Sequence, residues 1–311
     1  MGWRRGVVGG VPTGYRWIVA FALVANLTTL APPLRAADPP ALAPPSATPP
    51  PPLPSPPDSM PIDLRLDLSI TLGGTAIWAI TELLTPTLAP LSCRWCDRAA
   101  DGTDQLNSFD SSVRSAWRWR DTGKADTMSS IFSFGLAPLA GFGVGALVAW
   151  HDDRLPELAA DTLVVAESAM IAIDLNQIGK LAFARQRPDV HARISTDPTF
   201  QPSSADNLSF FSGHATLAFA LATSAGTVAS MRHHRLAPVM WAAGMLLATT
   251  GGYLRIAADR HYATDVIAGA VVGSAVGFTV PYFGHRPVAP HTGLAVVPTD
   301  GAASLVLWGT W

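Results

Sequence analysis

From Ile62 onward the apolar positions of this chain gather into six long segments, roughly 67–91, 130–150, 157–183, 213–230, 236–254 and 262–283. All six are rich in helix formers or small residues, and strand-like alternation is absent until the end of the chain, so the pattern predicts helices. The second segment carries no charge over 21 residues, long enough to span a bilayer. The first holds Glu82 and Pro86, and the third holds Asp161, Glu167 and Asp174. Ionisable groups at such depth are costly unless they face a cavity or one another. Either the third helix lines a polar site, or the bundle is a soluble one with a very apolar core. Between the first two segments, 92–129 mixes Arg114, Arg118, Arg120 and Lys124 with Trp95, Trp117 and Trp119. That mixture suits an amphipathic helix lying on a membrane, or equally a solvated helix packing its tryptophans on the bundle. After Phe283 the pattern changes: Leu294–Val297, the turn Pro298–Gly301 and Ser304–Trp308 predict a β-hairpin. An isolated hairpin is marginal in water, so packing on the bundle is expected.

The first 61 residues have a different character. Arg4, Arg5 and Arg16 precede an apolar run from Trp17 to Leu30, with small residues Ala36 and Ala37 after it. This reads as an export signal over 1–37, or as an uncleaved anchor, since Arg35 sits where a small residue is preferred. Residues 38–61 form a proline-rich linker; 11 of the 27 prolines fall between Asp38 and Pro57, a composition that favours an extended spacer over a packed core. The main domain is expected over 62–285, with 286–311 as a C-terminal extension.

Charged residues are 14% of the chain, against roughly 25% in an ordinary soluble domain, while apolar residues reach 49%. With a formal net charge of -2, no basic field argues for nucleic acid. The two cysteines, Cys93 and Cys96, lack the further ligands that a zinc site needs. A small disulfide in an oxidising compartment is the favoured reading, two plain thiols the other.

Three stretches bring chemistry into this apolar setting. Lys180 and Arg187, followed by Pro188, lie seven residues apart at the end of the third segment, two turns along one helix face. Pro188 disfavours helix at Arg187. Ser212-Gly213-His214 opens the fourth segment, with Ser212 a natural N-cap and free N–H groups that suit an anion. The third stretch is Arg255–Asp265, in which His261 and Asp265 share a face if the helix already includes His261. A carboxylate one turn from an imidazole can hold its tautomer and raise its basicity. In an up-down bundle all three stretches come to one end. Three cations, a helix N-terminus and two histidines there suit the holding and cleaving of a phosphate ester. The stripe Gly269, Gly273 and Gly277 continues the face of Asp265 and permits close helix contact, so this face should point inward.

The pattern Lys180-x6-Arg187-Pro188, Ser212-Gly213-His214 and Arg255-x5-His261-x3-Asp265 resembles the type 2 phosphatidic-acid phosphatase and vanadium haloperoxidase superfamily. The likeness extends along His261-Tyr-Ala-Thr-Asp265-Val-Ile-Ala-Gly269 and covers roughly residues 130 to 285. Phe211 stands where the family usually has proline, and Leu254 where it usually has serine. The resemblance implies an all-α fold: a six-helix up-down bundle of the acid phosphatase/vanadium haloperoxidase type, here with a small C-terminal β-hairpin.

It further implies that His261 attacks phosphorus to give a phosphohistidine, with Asp265 orienting the imidazole and His214 as acid and then base. Lys180, Arg187, Ser212, Gly213 and Arg255 would bind the phosphate oxygens. No metal or cofactor is implied; vanadate would enter only if the chain were a haloperoxidase, and a soluble periplasmic acid phosphatase is a further alternative. The expected partners are a phosphorylated lipid or small phosphate ester and a membrane. The basic loop Arg232–Arg235, at the end opposite the site, favours the cytoplasm, so the site would face the periplasm.

Overall fold

The computed structural model describes residues 60–197 and 199–286, together with the backbone of 293–299 and 302–308. The expected export segment and almost all of the proline-rich linker lie outside the described residues.

Helix α1 (Leu64–Leu83) starts where Asp63 caps it, its carboxylate accepting from the amides of Arg65 and Leu66. A single turn, α2 (Thr85–Leu88), follows. The stretch 92–129 contributes two helix starts: α3 (Ser108–Trp117), capped by Asn107, and α4 (Thr122–Ile131), capped by Asp121. Helix α4 therefore begins well before the charge-free segment, and π-helical turns at Phe132–Leu136 and Leu139–Val144 carry it into α5 (Gly145–His151). The wider turns fall around Pro138, which cannot donate to the ordinary ladder. Next come α6 (Leu158–Phe183), the short α7 (Pro188–Thr196), α8 (Gly213–Met231), α9 (Ala237–Ala257) and α10 (Ala263–Thr279), which runs on through a π-turn to Gly284. The fold is thus mostly helical.

Small residues let these helices approach closely. A Cβ on Gly269 would lie 2.6 Å from the Ser212 carbonyl oxygen, and one on Gly277 would lie 2.6 Å from that of Ala220. The glycine stripe is therefore the contact line of α10 on α8, and the face carrying Asp265 points inward. Gly226 likewise receives the Trp241 ring. The main apolar core joins Val164 and Val165 of α6 to Leu221 and Val228 of α8 and Met240 of α9.

The acids of α6 do not line one polar site. Asp161 accepts from Arg232 at 2.7 and 2.9 Å, and Glu167 meets His285 at 3.1 Å. Asp174 lies against Gly74 of α1. Of the loop Arg232–Arg235, Arg232 pairs with Asp161 of α6 and His234 with Asp152 at the end of α5.

Among the described residues two helices are long and apolar enough to cross a membrane, Thr122–His151 with mean hydropathy 1.9 and Ala263–Gly284 with 1.7. Only 22% and 28% of their most apolar windows are buried in the protein, so most of that apolar surface faces outward. Leu72, Leu83, Leu147, Trp150, Ile178 and Leu246 are also exposed, an amount of outward apolar side chain that needs a partner phase or surface.

Strands β1 (Gly293–Thr299) and β2 (Ala302–Trp308) pair antiparallel through their backbones, with Leu294 opposite Leu307. The packing expected of them on the bundle lies outside the described residues.

Candidate active site

Helix α6 ends at Phe183 because Ala184 takes a left-handed conformation, φ 44°. Arg187 comes four residues later as the N-cap of α7, with Pro188 at the first helical position, where its missing N–H costs nothing. Lys180 and Arg187 therefore do not share a helix face, as the seven-residue spacing suggested; a chain reversal brings Arg187 to the site. The Arg187 guanidinium is held by two carbonyls, those of Arg260 at 3.1 Å and Ala205 at 3.3 Å.

Ser212 caps α8, its hydroxyl accepting from the Ala215 amide at 3.5 Å. A Cβ on Gly213 would sit 2.8 Å from Asn176 Oδ1 and 3.2 Å from Lys180 Nζ. Only glycine lets the start of α8 come this near the lysine. Asn176 in turn donates to the Phe211 carbonyl at 2.6 Å. Phe211, in the position usual for proline, lays its ring over Gly179, where a Cβ would approach it to 2.6 Å. His214 places Nε2 3.5 Å from Ser130 Oγ and its ring 4.5 Å from that of Phe134.

His261 precedes α10 rather than lying on it, since that helix starts at Ala263. The hydrogen bond expected from Asp265 to the imidazole is made by another group: His261 Nδ1 donates to the Ser209 carbonyl at 2.8 Å. Asp265 Oδ2 stands 3.7 Å from Nδ1 and accepts instead from Ser209 Oγ at 2.6 Å and from the Tyr262 amide at 2.9 Å. Because a carbonyl can only accept, Nδ1 carries the proton and Nε2 of the neutral ring carries a lone pair. Burial, reinforced by the positive charges of Arg255, Arg187 and Lys180, holds the His261 pKa well below the ordinary histidine value. The ring is therefore neutral near pH 7, in the form that can act as a nucleophile.

Arg255, buried on α9, donates to Ser129 Oγ at 2.9 Å and pairs closely with Asp126 of α4. Asp126 also accepts from Arg260 at 3.2 Å. Among the described residues Arg255 Nε is buried without a hydrogen-bond partner, so its N–H is available to an incoming oxygen. Beside these groups opens a cavity of about 580 Å³ whose walls include Arg118, Asp126, Asp189, Arg193 and Arg260.

Three residues of this region were not singled out from the sequence. Ser209 has no motif signal. Asp126 lies in the 92–129 connecting stretch with no motif around it. Arg185 sits inside the Lys180–Arg187 run as an apparently ordinary cation, yet it is fully buried. Its guanidinium donates to Asp265 Oδ1 at 2.7 Å, Asp110 at 2.9 Å, Asp97 at 3.0 Å and Thr264 at 2.7 Å. It is also stacked between the rings of Trp95, at 4.1 Å, and Tyr262, at 4.2 Å. The loop that carries Trp95 is closed by the Cys93–Cys96 disulfide. Arg185 thereby neutralises Asp265 and ties the start of α10 to that loop.

Comparison with known proteins adds a lineage to this geometry. Residues 161–288 match the family model described as PAP2 superfamily. A lipid A 1-phosphatase of Porphyromonas gingivalis is 36% identical over 99 residues, which is 32% of this chain and 18% of that protein. This chain thus spans less than a fifth of the length of that relative. A crystal structure of a transmembrane PAP2 type phosphatidylglycerolphosphate phosphatase from Bacillus subtilis aligns with 70% of this chain and 95% of its own, at 20% identity and a TM-score of 0.41.

Proposed function

We propose, from the match of residues 161–288 to the PAP2 superfamily model, that this chain is a phosphoric ester hydrolase acting on a lipid-borne phosphate through a phosphohistidine. One observation supports this above the rest: His261 has its Nδ1 proton fixed on the Ser209 carbonyl, leaving a Nε2 lone pair among Lys180, Arg187 and Arg255. A neutral nucleophile among three cations suits an anionic ester that gains charge at its leaving oxygen.

In the first step His261 Nε2 attacks phosphorus, the bond to the ester oxygen breaks, and His214 gives that oxygen a proton. In the second, His214 takes a proton from water, whose oxygen attacks the phosphohistidine and releases phosphate and free His261. Lys180, Arg187, Arg255, the Ser212 hydroxyl and the Gly213 amide hold the non-bridging oxygens. Asp265 acts on His261 through Ser209 and through its charge at 3.7 Å. This chemistry needs no metal and no organic cofactor.

The substrate class is a phosphate monoester or diphosphate on a lipid or isoprenyl carrier. The apolar outward faces support a bilayer approach, and the lipid A 1-phosphatase relative supports a phosphorylated lipid. We propose further that the helices make a six-helix up-down bundle of the acid phosphatase type, held in the cell envelope with the site toward the periplasm. The test is release of inorganic phosphate from a panel of phosphatidate, lysophospholipid, isoprenyl diphosphate and soluble monoesters. Activity on a lipid substrate that resists EDTA and is blocked by vanadate is expected. Loss with EDTA and recovery with a divalent ion would overturn the mechanism.

A further inference from the structure

About 20 Å along α6 from Lys180, taking 1.5 Å per residue, lies a second polar cluster that the phosphate chemistry does not use. Asp67 of α1, Glu167 of α6 and His285 beyond α10 are all buried, and each brings a ligand atom within 4.8 Å of the other two. His285 Nδ1 is 3.0 Å from the Pro61 carbonyl, which can only accept, so Nδ1 carries the proton. In a neutral ring Nε2 would then be a lone pair facing Glu167 Oε2 at 3.1 Å, whereas in an imidazolium it would donate to that oxygen. Two acceptors at that distance repel unless a positive charge lies between them.

A proton on Nε2 would satisfy Glu167 alone. It would leave Asp67, which is 4% exposed and whose buried Oδ2 has no hydrogen-bond partner among the described residues. A divalent cation satisfies all three groups together. The histidine also shows the support typical of a metal ligand, its second nitrogen donating to a backbone carbonyl. One imidazole and two carboxylates, with a position left open for water, suit zinc. Zinc holds such donors at about 2.0–2.2 Å, so the three groups need close by only about 1 Å around it.

We propose that Asp67, Glu167 and His285 form a structural Zn²⁺ site that ties α1 and the end of α10 to the middle of α6. The ion staples the entry to the bundle onto its exit and takes no part in phosphate release.

The test uses the full chain purified in detergent, stripped with chelator, dialysed and titrated with ZnCl₂ alone. Bound zinc is read by elemental analysis, and the melting temperature is followed in parallel. One zinc per chain is expected, with a rise in melting temperature of about 5–10 °C at free Zn²⁺ a hundredfold above Kd. Asp67→Asn and Glu167→Gln keep the side-chain shape and should each weaken zinc binding at least tenfold and abolish the rise. Their phosphate release at low temperature should stay at the wild-type level. No saturable zinc on the stripped wild-type chain would show the cluster to be a plain imidazolium–carboxylate pair and overturn the proposal. Undiminished zinc binding in both variants would do the same.

Discussion

His261 Nδ1 donates to the carbonyl of Ser209 at 2.8 Å, and Ser209 Oγ donates to Asp265 at 2.6 Å. One residue thus contributes its main chain to the imidazole and its side chain to the carboxylate. The tautomer of the proposed nucleophile is set by a backbone group that mutation cannot remove. Asp265 is left to position Ser209, to start α10 and to supply charge.

This arrangement separates two variants that a direct His–Asp pair would make alike. Where a carboxylate alone fixes the tautomer of a catalytic histidine, its amide variant loses about 10⁴-fold. Here Asp265→Asn should lower kcat by only about 10²-fold, while His261→Ala should abolish phosphate release. Both are checked by phosphate release from purified, folded protein. Equal losses would show that Asp265 acts on the ring directly.

The acid limb of the pH profile follows from the same ring. Burial and three neighbouring cations lower the His261 pKa, so the neutral form persists as pH falls below the ordinary histidine range. The acid-side fall of kcat/KM, which reports the free enzyme, should therefore lie below about pH 6.5. Rates measured from pH 4.5 to 8 check this; a midpoint at or above the ordinary value would contradict it.

Arg185→Lys should be severely destabilising. The guanidinium faces Asp97, Asp110 and Asp265 at 2.7–3.0 Å with no solvent exposure. A lysine brings one ammonium and no fork, leaving buried carboxylates short of donors. Breaking such a buried network costs about 3–5 kcal/mol. Denaturant melts in detergent read the loss, which a surface cation would not show.

Gly277→Ala tests the contact line of α10 on α8. The added methyl would meet the Ala220 carbonyl oxygen at 2.6 Å and the Ser224 nitrogen at 3.0 Å, both backbone atoms that cannot swing away. A cost of about 1–3 kcal/mol is expected, seen as a lower melting temperature. Because Gly277 is twelve residues, about 18 Å of helix, from Asp265, kcat at low temperature should change little.

Much of this was legible in the sequence. Helices are local objects, so apolar segments free of alternation placed them well, and the glycine stripe marked the inward face of α10. The three motifs named eight candidate residues because phosphate chemistry demands cations, a helix start and histidine in one place. Two placements failed for local reasons: α6 stops at Ala184, so Lys180 and Arg187 meet through a chain reversal, and α10 starts only after His261. Ser209, Asp126 and Arg185 stayed hidden because their roles come from partners 56, 129 and 80 residues away. The sequence alone determined which residues are candidates for the proposed reaction. The tertiary structure decided which carbonyl holds the imidazole and which arginine neutralises the aspartate, since hydrogen bonds between distant segments exist only once the helices have packed.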